Sequence, residues 1–141
     1  MVVRLKLEVR KRLGHQDRIV EFTAIANAGF EASYPILIVT SELWEKLGDP
    51  PPEGFTTLKF GIGESREYPL IIGKTRAKVS DRRQTWTKAY IVNVPGIEEP
   101  LISDYLLSEL KIVILDPKAG YWRFRDDPSR RKRRSVKLSG L

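Results

Sequence analysis

The stretch from Ile19 to Gly48 constrains the fold of this chain more than any other part of its sequence. Residues 19–25 alternate apolar and polar side chains, which is typical of a strand with one buried face. A loop of small residues follows at 26–29, and an apolar run at 36–39 predicts a second strand. A short helix is then expected over 41–47, with a hydroxyl residue at its start and glycine at its end.

The rest of the chain predicts more short strands and one more short helix. Residues 103–110 indicate the helix, because Ser103 suits the N-cap, Asp104 suits the first turn, and the leucines share one face. The strands are expected at 2–10, 55–60, 66–72, 75–79, 85–94, 111–115 and 121–125. This pattern predicts an all-β fold (mainly β with two short helices) that forms a closed, mostly antiparallel β barrel over residues 1–128.

Composition excludes several classes of site and of protein. The chain has no cysteine and one histidine, His15, so a thiolate or histidine-rich metal site is not expected, and neither is a cofactor. No apolar run approaches the roughly 20 residues of a membrane helix. We therefore expect a cytoplasmic protein that does not bind membranes.

The net charge of +7 is concentrated at one end of the chain. Residues 129–141 hold six basic residues and no acid, so residues 1–128 carry only +1. Such a charge run predicts a disordered tail. Its functional interpretation is weak, non-specific binding of nucleic-acid phosphates by the run Arg130, Arg131, Lys132, Arg133 and Arg134.

The order of elements resembles the retropepsin-like aspartic proteases over residues 2–125. The loop Asn27-Ala28-Gly29 occupies the position of the family's Asp-Thr-Gly, and Leu101–Leu107 looks like the family's hydrophobic-hydrophobic-Gly motif before its second helix. The resemblance implies a homodimer in which each chain gives half of a peptide-binding site. It also implies that the hairpin tip Gly61, Ile62 and Gly63 is the flap that closes over the peptide.

The catalytic position does not match the family's chemistry. In that family two aspartates share one proton, one acting as base on water and the other polarising the peptide carbonyl. An amide cannot accept a proton from water, so Asn27 cannot replace either acid. Ala28 lacks the hydroxyl that braces the paired loops in the family. Whether the chain is an enzyme is therefore uncertain, and we expect an inactive or impaired relative that binds a peptide or protein.

Other interpretations of these residues stay open. Asn27 could be an engineered replacement of aspartate, or Asp104 could supply a carboxylate instead. Asn followed by small residues and glycine is also common in ordinary loops, because both tolerate positive φ. The alternative function is a small β-barrel module for nucleic-acid binding or assembly that uses the basic tail.

Overall fold

A computed structural model describes residues 2–59, 63–80 and 86–137. Within these residues the chain forms twelve strands and two helices of six residues each. The strands are β1 Arg4–Leu13, β2 Gln16–Ile25, β3 Ile36–Val39, β4 Gly54–Leu58, β5 Arg66–Ile71, β6 Thr75–Val79, β7 Thr87–Lys88, β8 Tyr90–Asn93, β9 Leu101–Ile102, β10 Ile112–Asp116, β11 Tyr121–Phe124 and β12 Arg133–Arg134. The helices are α1 Ser41–Lys46 and α2 Asp104–Glu109. The prediction of a mainly β protein with two short helices is confirmed.

One large sheet organises the described part of the chain, with strand order β4-β5-β8-β3-β9-β2-β1-β6-β7. A smaller sheet contains β10, β11 and β12. The expected closed antiparallel barrel is not seen in the described residues, because β4 and β7 form the two edges of the large sheet. The pairs β2–β9 and β3–β8 are parallel, so the sheet is mixed.

The centre of the large sheet is covered on both faces. All four residues of β3 are buried, and they alternate between two hydrophobic clusters. Leu37 and Val39 belong to the cluster that contains α1, α2 and the inward residues of β1. Ile36 and Ile38 belong to a second cluster on the other face. A continuous apolar run is therefore what this position requires.

The hairpin at the start of the chain follows directly from its alternating sequence. Strands β1 and β2 pair antiparallel from Arg4 opposite Ile25 to Leu13 opposite Gln16. Leu5, Leu7 and Val9 point inward and are fully buried, which leaves every second residue of β1 on the outer face. The second edge of β1 pairs with β6.

The segment expected as one strand over 85–94 is divided at Ala89. Strand β7 pairs with β6, whereas β8 pairs with β3 and β5. The fully buried Ala89 donates its N–H to the Thr75 carbonyl, and the next N–H, of Tyr90, bonds to the Pro35 carbonyl. The chain changes its pairing partners at this residue, which local alternation does not reveal.

In the described part of the chain, no helix has the length and apolar character of a membrane span.

Candidate functional site

The small-residue loop after β2 is held by backbone bonds from two directions. The Ile25 N–H donates to the Pro100 carbonyl at 2.9 Å, and the Ala26 N–H donates to the Val3 carbonyl at 2.8 Å. The Val3 N–H in turn donates to Oδ1 of Asn27 at 2.7 Å. The amide oxygen of Asn27 therefore ties the loop to the residues that precede β1, which is a structural use of this side chain.

The next two residues of the loop are exposed. Gly29 has φ of +70°, a left-handed conformation that glycine adopts without strain, and a Cβ placed there would meet no atom within 4 Å. Backbone conformation, and not crowding, is therefore the reason for glycine at this position. Ala28 offers the solvent only a methyl group, so no hydroxyl is present at this point of the loop.

Asp104 does not bring a carboxylate into the loop through any bond that the structure shows. It is the first residue of α2, and its side chain is exposed. Its backbone N–H, however, donates to the Phe30 carbonyl at 2.8 Å, so the start of α2 is joined to the end of the loop. The position agrees with the structural role of an acid at a helix start.

Glu99 is the acid that precedes Pro100, to which the loop is bonded. It forms a two-fold ion pair with Arg4, with Nε–Oε1 of 2.7 Å and Nη2–Oε2 of 3.0 Å. The hydrogen bonds from Arg4 hold the pKa of Glu99 below its usual range, and their effect outweighs the opposing effect of burial. Glu99 is therefore ionised at neutral pH and unsuited to donate a proton.

Ser103 joins three elements at the centre of this region. Its side chain is fully buried, and its Oγ accepts N–H bonds from Leu106 at 3.1 Å and from Ile36 at 3.0 Å. Its own N–H donates to the Ile36 carbonyl at 3.0 Å. The predicted N-cap role is confirmed, whereas the bonds to the first residue of β3 were not foreseen, because they depend on a partner 67 residues away.

The two helices begin in the same way. Helix α1 follows β3 and is capped by Thr40, whose Oγ1 accepts the Leu43 N–H at 3.2 Å. Helix α2 follows β9 and is capped by Ser103. Two units of buried strand, hydroxyl cap and short helix therefore meet side by side in the sheet, since β3 and β9 are neighbours.

The predicted flap is described only at its margins. Gly61 and Ile62 lie outside the described residues, whereas Gly63 is exposed just before β5. Strands β4 and β5 pair antiparallel from Gly54 opposite Leu70 to Leu58 opposite Arg66, as a hairpin requires. The assignment of this hairpin as a flap stays a prediction.

No family model matches this chain, and no curated protein matches it. Within residues 2–59, 63–80 and 86–137, no group of three or more His, Cys, Asp or Glu side chains could hold a metal ion.

The basic tail is not the free arm that its composition predicts. Residues 133–134 form β12, which pairs with β11. Arg133 makes a two-fold ion pair with Asp127, with Nε–Oδ2 of 2.8 Å and Nη2–Oδ1 of 3.1 Å. The Arg133 hydrogen bond is the main reason that the pKa of Asp127 is lowered to about 2. Within the segment expected to be disordered, residues 133–136 therefore contact the body of the protein, whereas residues 138–141 lie outside the described residues.

The tail also covers the aromatic side chains of β11. The Arg133 guanidinium carbon lies 4.8 Å from the ring centre of Phe124, and Lys132 and Arg134 lie 5.3 and 5.7 Å from that of Tyr121. Trp122 is almost fully buried and donates its indole N–H to the Arg134 carbonyl at 3.2 Å. These rings belong to the packing of the smaller sheet.

Further along, Ser135 and Val136 join the tail to the first strand. The Arg4 N–H donates to Oγ of Ser135 at 2.8 Å, and the Val136 N–H donates to the Arg4 carbonyl at 2.9 Å. The Ser135 N–H bonds to the Gly120 carbonyl at 2.7 Å. Of the proposed nucleic-acid residues, Arg133 is half-buried, whereas the other four are exposed at the surface.

Proposed function

We propose that this protein is a non-catalytic member of the retropepsin-like group that binds an extended peptide or protein segment as a homodimer. The observation that carries the proposal is the state of Asn27. The resemblance assigns it the position of the group's catalytic aspartate, and its Oδ1 accepts the Val3 N–H at 2.7 Å. The side chain therefore serves as a hydrogen-bond acceptor that fixes the loop, and an amide supplies no acid–base chemistry.

The acids around the loop support the absence of catalysis. Proton transfer by a positioned acid or base contributes about 10²–10⁴-fold to a rate, and an amide supplies none of it. Glu99 is held ionised by Arg4, and Asp104 is exposed at the start of α2. An aspartic mechanism needs two carboxylates that share one proton, whereas the Glu99 carboxylate is bonded to Arg4 and the Asp104 carboxylate is exposed.

Strand β4 supports the binding of an extended segment. It is an edge of the large sheet, and in the described part of the chain its backbone is paired only with β5. Such an edge offers unpaired N–H and C=O groups to a further strand. Phe55, the second residue of β4, is 64% exposed and offers an apolar contact to the same ligand. The homodimer follows from the resemblance, in which each chain supplies half of the site.

The experiment compares the chain with variants that restore the missing groups. The parent protein is incubated with an unstructured protein substrate at pH 4–6, with and without a statine-type transition-state mimic. We expect no cleavage by the parent or by Ala28→Thr, which restores only the hydroxyl. Peptidase activity that appears in Asn27→Asp/Ala28→Thr supports the retropepsin-like assignment.

Binding and assembly are measured on the same preparations. Sedimentation velocity is expected to show a dimer, and a displayed library of extended peptides is expected to yield ligands that protect β4 amides from hydrogen exchange. Cleavage by the parent that the mimic inhibits would overturn the non-catalytic assignment. A protein that is monomeric at about 100 μM and selects no peptide would overturn the binding assignment. Even a μM affinity, which corresponds to only about 8 kcal/mol, would be detected at that concentration.

A further inference from the structure

The outer face of β1 and β6 carries a row of positive charge that the net charge of the body conceals. Arg10 of β1 lies directly opposite Arg76 of β6, and Arg76 lies opposite Lys88 of β7. Paired residues in an antiparallel sheet share a face, so the three cations form one line across the strands. Like charges in directly opposed positions destabilise a sheet, which makes this arrangement costly for the fold alone.

The acidic side chains of this face form ion pairs with other cations. Glu21 pairs with Lys6 at 3.8 Å, and Glu8 pairs with Lys78 at 3.9 Å. Asp17 pairs with Arg12 at 3.5 Å. Among the described residues, no ion pair within 4 Å involves the remaining cations of the face, which are Arg10, Lys74, Arg76 and Lys88.

These cations converge on a surface groove of about 250 Å³. Its lining consists of Arg10, Arg12, Lys74 and Arg76 with one acid, Asp17. The groove therefore has a net charge of about +3, and its positive side chains point toward one volume of solvent. Repulsion within it is relieved when an anion with several charges occupies it.

Trp86 holds one of the arginines in place. The guanidinium carbon of Arg10 lies 4.8 Å from the centre of the indole ring, and the Lys78 ammonium lies 5.1 Å from it. Stacking restricts the rotamers of Arg10 before any ligand binds, which reduces the entropy lost on binding. The planar guanidinium then presents its donors in the fork that fits phosphate oxygens.

We propose that this surface, formed by Arg10, Arg12, Lys74 and Arg76, binds the phosphate backbone of a nucleic acid. Lys88, opposite Arg76, continues the row of cations beyond the groove, and such a series of separate charges matches a polymer with one charge per nucleotide. Apart from Asp17, the lining side chains of the groove are Arg and Lys, which bind phosphate oxygens through their charge, so we expect binding that depends mainly on the phosphate backbone. Ile19 is exposed beside Arg10, but a single apolar side chain does not anchor a protein in a bilayer. The surface is distinct from the basic tail, and the proposal does not depend on the peptide-binding function.

The test is the anisotropy of a fluorescein-labelled single-stranded oligonucleotide titrated with the full chain at 50 and 200 mM salt. About four phosphate contacts predict a roughly 50-fold loss of affinity between these concentrations. Arg76→Glu is expected to weaken binding at least tenfold and to reduce the slope of log affinity against log salt by about 0.7 or more. Circular dichroism melting checks that this variant is folded.

Matched variants separate this surface from the others. Lys118→Glu makes the same change of charge in the exposed turn between β10 and β11, and we expect it to alter affinity less than threefold. Arg130→Glu/Arg131→Glu reverses two of the exposed cations of the tail. The proposal is overturned if the parent does not bind at 50 mM salt, if Arg76→Glu and Lys118→Glu behave alike, or if only the tail variant loses binding. Binding to phosphatidylserine vesicles without binding to the oligonucleotide overturns it as well.

Discussion

The ion pair between Asp127 and Arg133 makes a measurable contribution to the free energy of unfolding, because it joins the tail to the body of the protein. The Asp127 side chain is 8% exposed and also accepts the Phe124 N–H at 2.8 Å. Its pKa falls from 3.8 to about 2 in the folded protein. At about 1.36 kcal/mol for each tenfold change in proton affinity, this fall corresponds to at most about 2.5 kcal/mol of stability at neutral pH.

The pH dependence of this contribution has a definite sign. A carboxyl whose pKa is lower in the folded state stabilises the protein above its unfolded pKa, and the stabilisation is lost as the pH falls through the folded value. Asp127→Asn should therefore lower the free energy of unfolding by about 1–2 kcal/mol at pH 7. The difference between parent and variant should shrink between pH 4 and pH 2.

Urea unfolding of Asp127→Asn, Arg133→Gln and the double variant isolates the pair. We expect a coupling energy of about 1–2 kcal/mol, because the pair is two-fold and largely shielded from water. Arg134→Gln, which removes a neighbouring cation with no ion pair among the described residues, is the matched control and should change stability by less than about 0.5 kcal/mol. A coupling energy below about 0.3 kcal/mol, or a difference that persists unchanged to pH 2, would refute the reasoning.

Two further substitutions test the centre of the fold and the basic surface. Ser103→Ala removes the N-cap acceptor of Leu106 and leaves the buried Ile36 N–H without Oγ, so we expect a loss of about 2–3 kcal/mol in urea unfolding; a loss under 0.5 kcal/mol would contradict the role of this hydroxyl. Arg76→Glu replaces repulsion with attraction opposite Arg10 and should raise the stability by about 0.2–1 kcal/mol, which thermal melting at low salt can detect; a lower melting temperature would show that Arg76 contributes to packing.

Local patterns predicted the elements of this protein better than their partners. Alternation in β1 and the hydroxyl caps of α1 and α2 are properties of neighbouring residues, and the structure contains them. The division at Ala89 is not visible in the local pattern, because it arises from different pairing partners: β7 pairs with β6, whereas β8 pairs with β3. The closed barrel was inferred from strand number, which does not determine whether the edge strands meet.

The electrostatic errors have a different origin. Charge counting treated the tail as free, although Asp127 lies only six residues before Arg133 and neutralises it. The same counting treated the body as nearly neutral, although the pairing of β1 with β6 brings together Arg10 and Arg76, which are 66 residues apart in the sequence. The signal in the sequence for this basic surface was the placement of Arg10 and Arg12 on the solvent-facing side of an alternating strand.

The bonds between Arg4 and the residues Ser135 and Val136 have a consequence for how the chain folds during synthesis. The first of these contacts spans 131 residues, so it closes one of the longest loops that a chain of this size allows. A ribosome delivers Ser135 and Val136 only after both helices and all strands of the large sheet have been synthesised. Arg4 therefore lacks these two bonds until that point, and a chain interrupted before residue 135 leaves this part of β1 open to other strands.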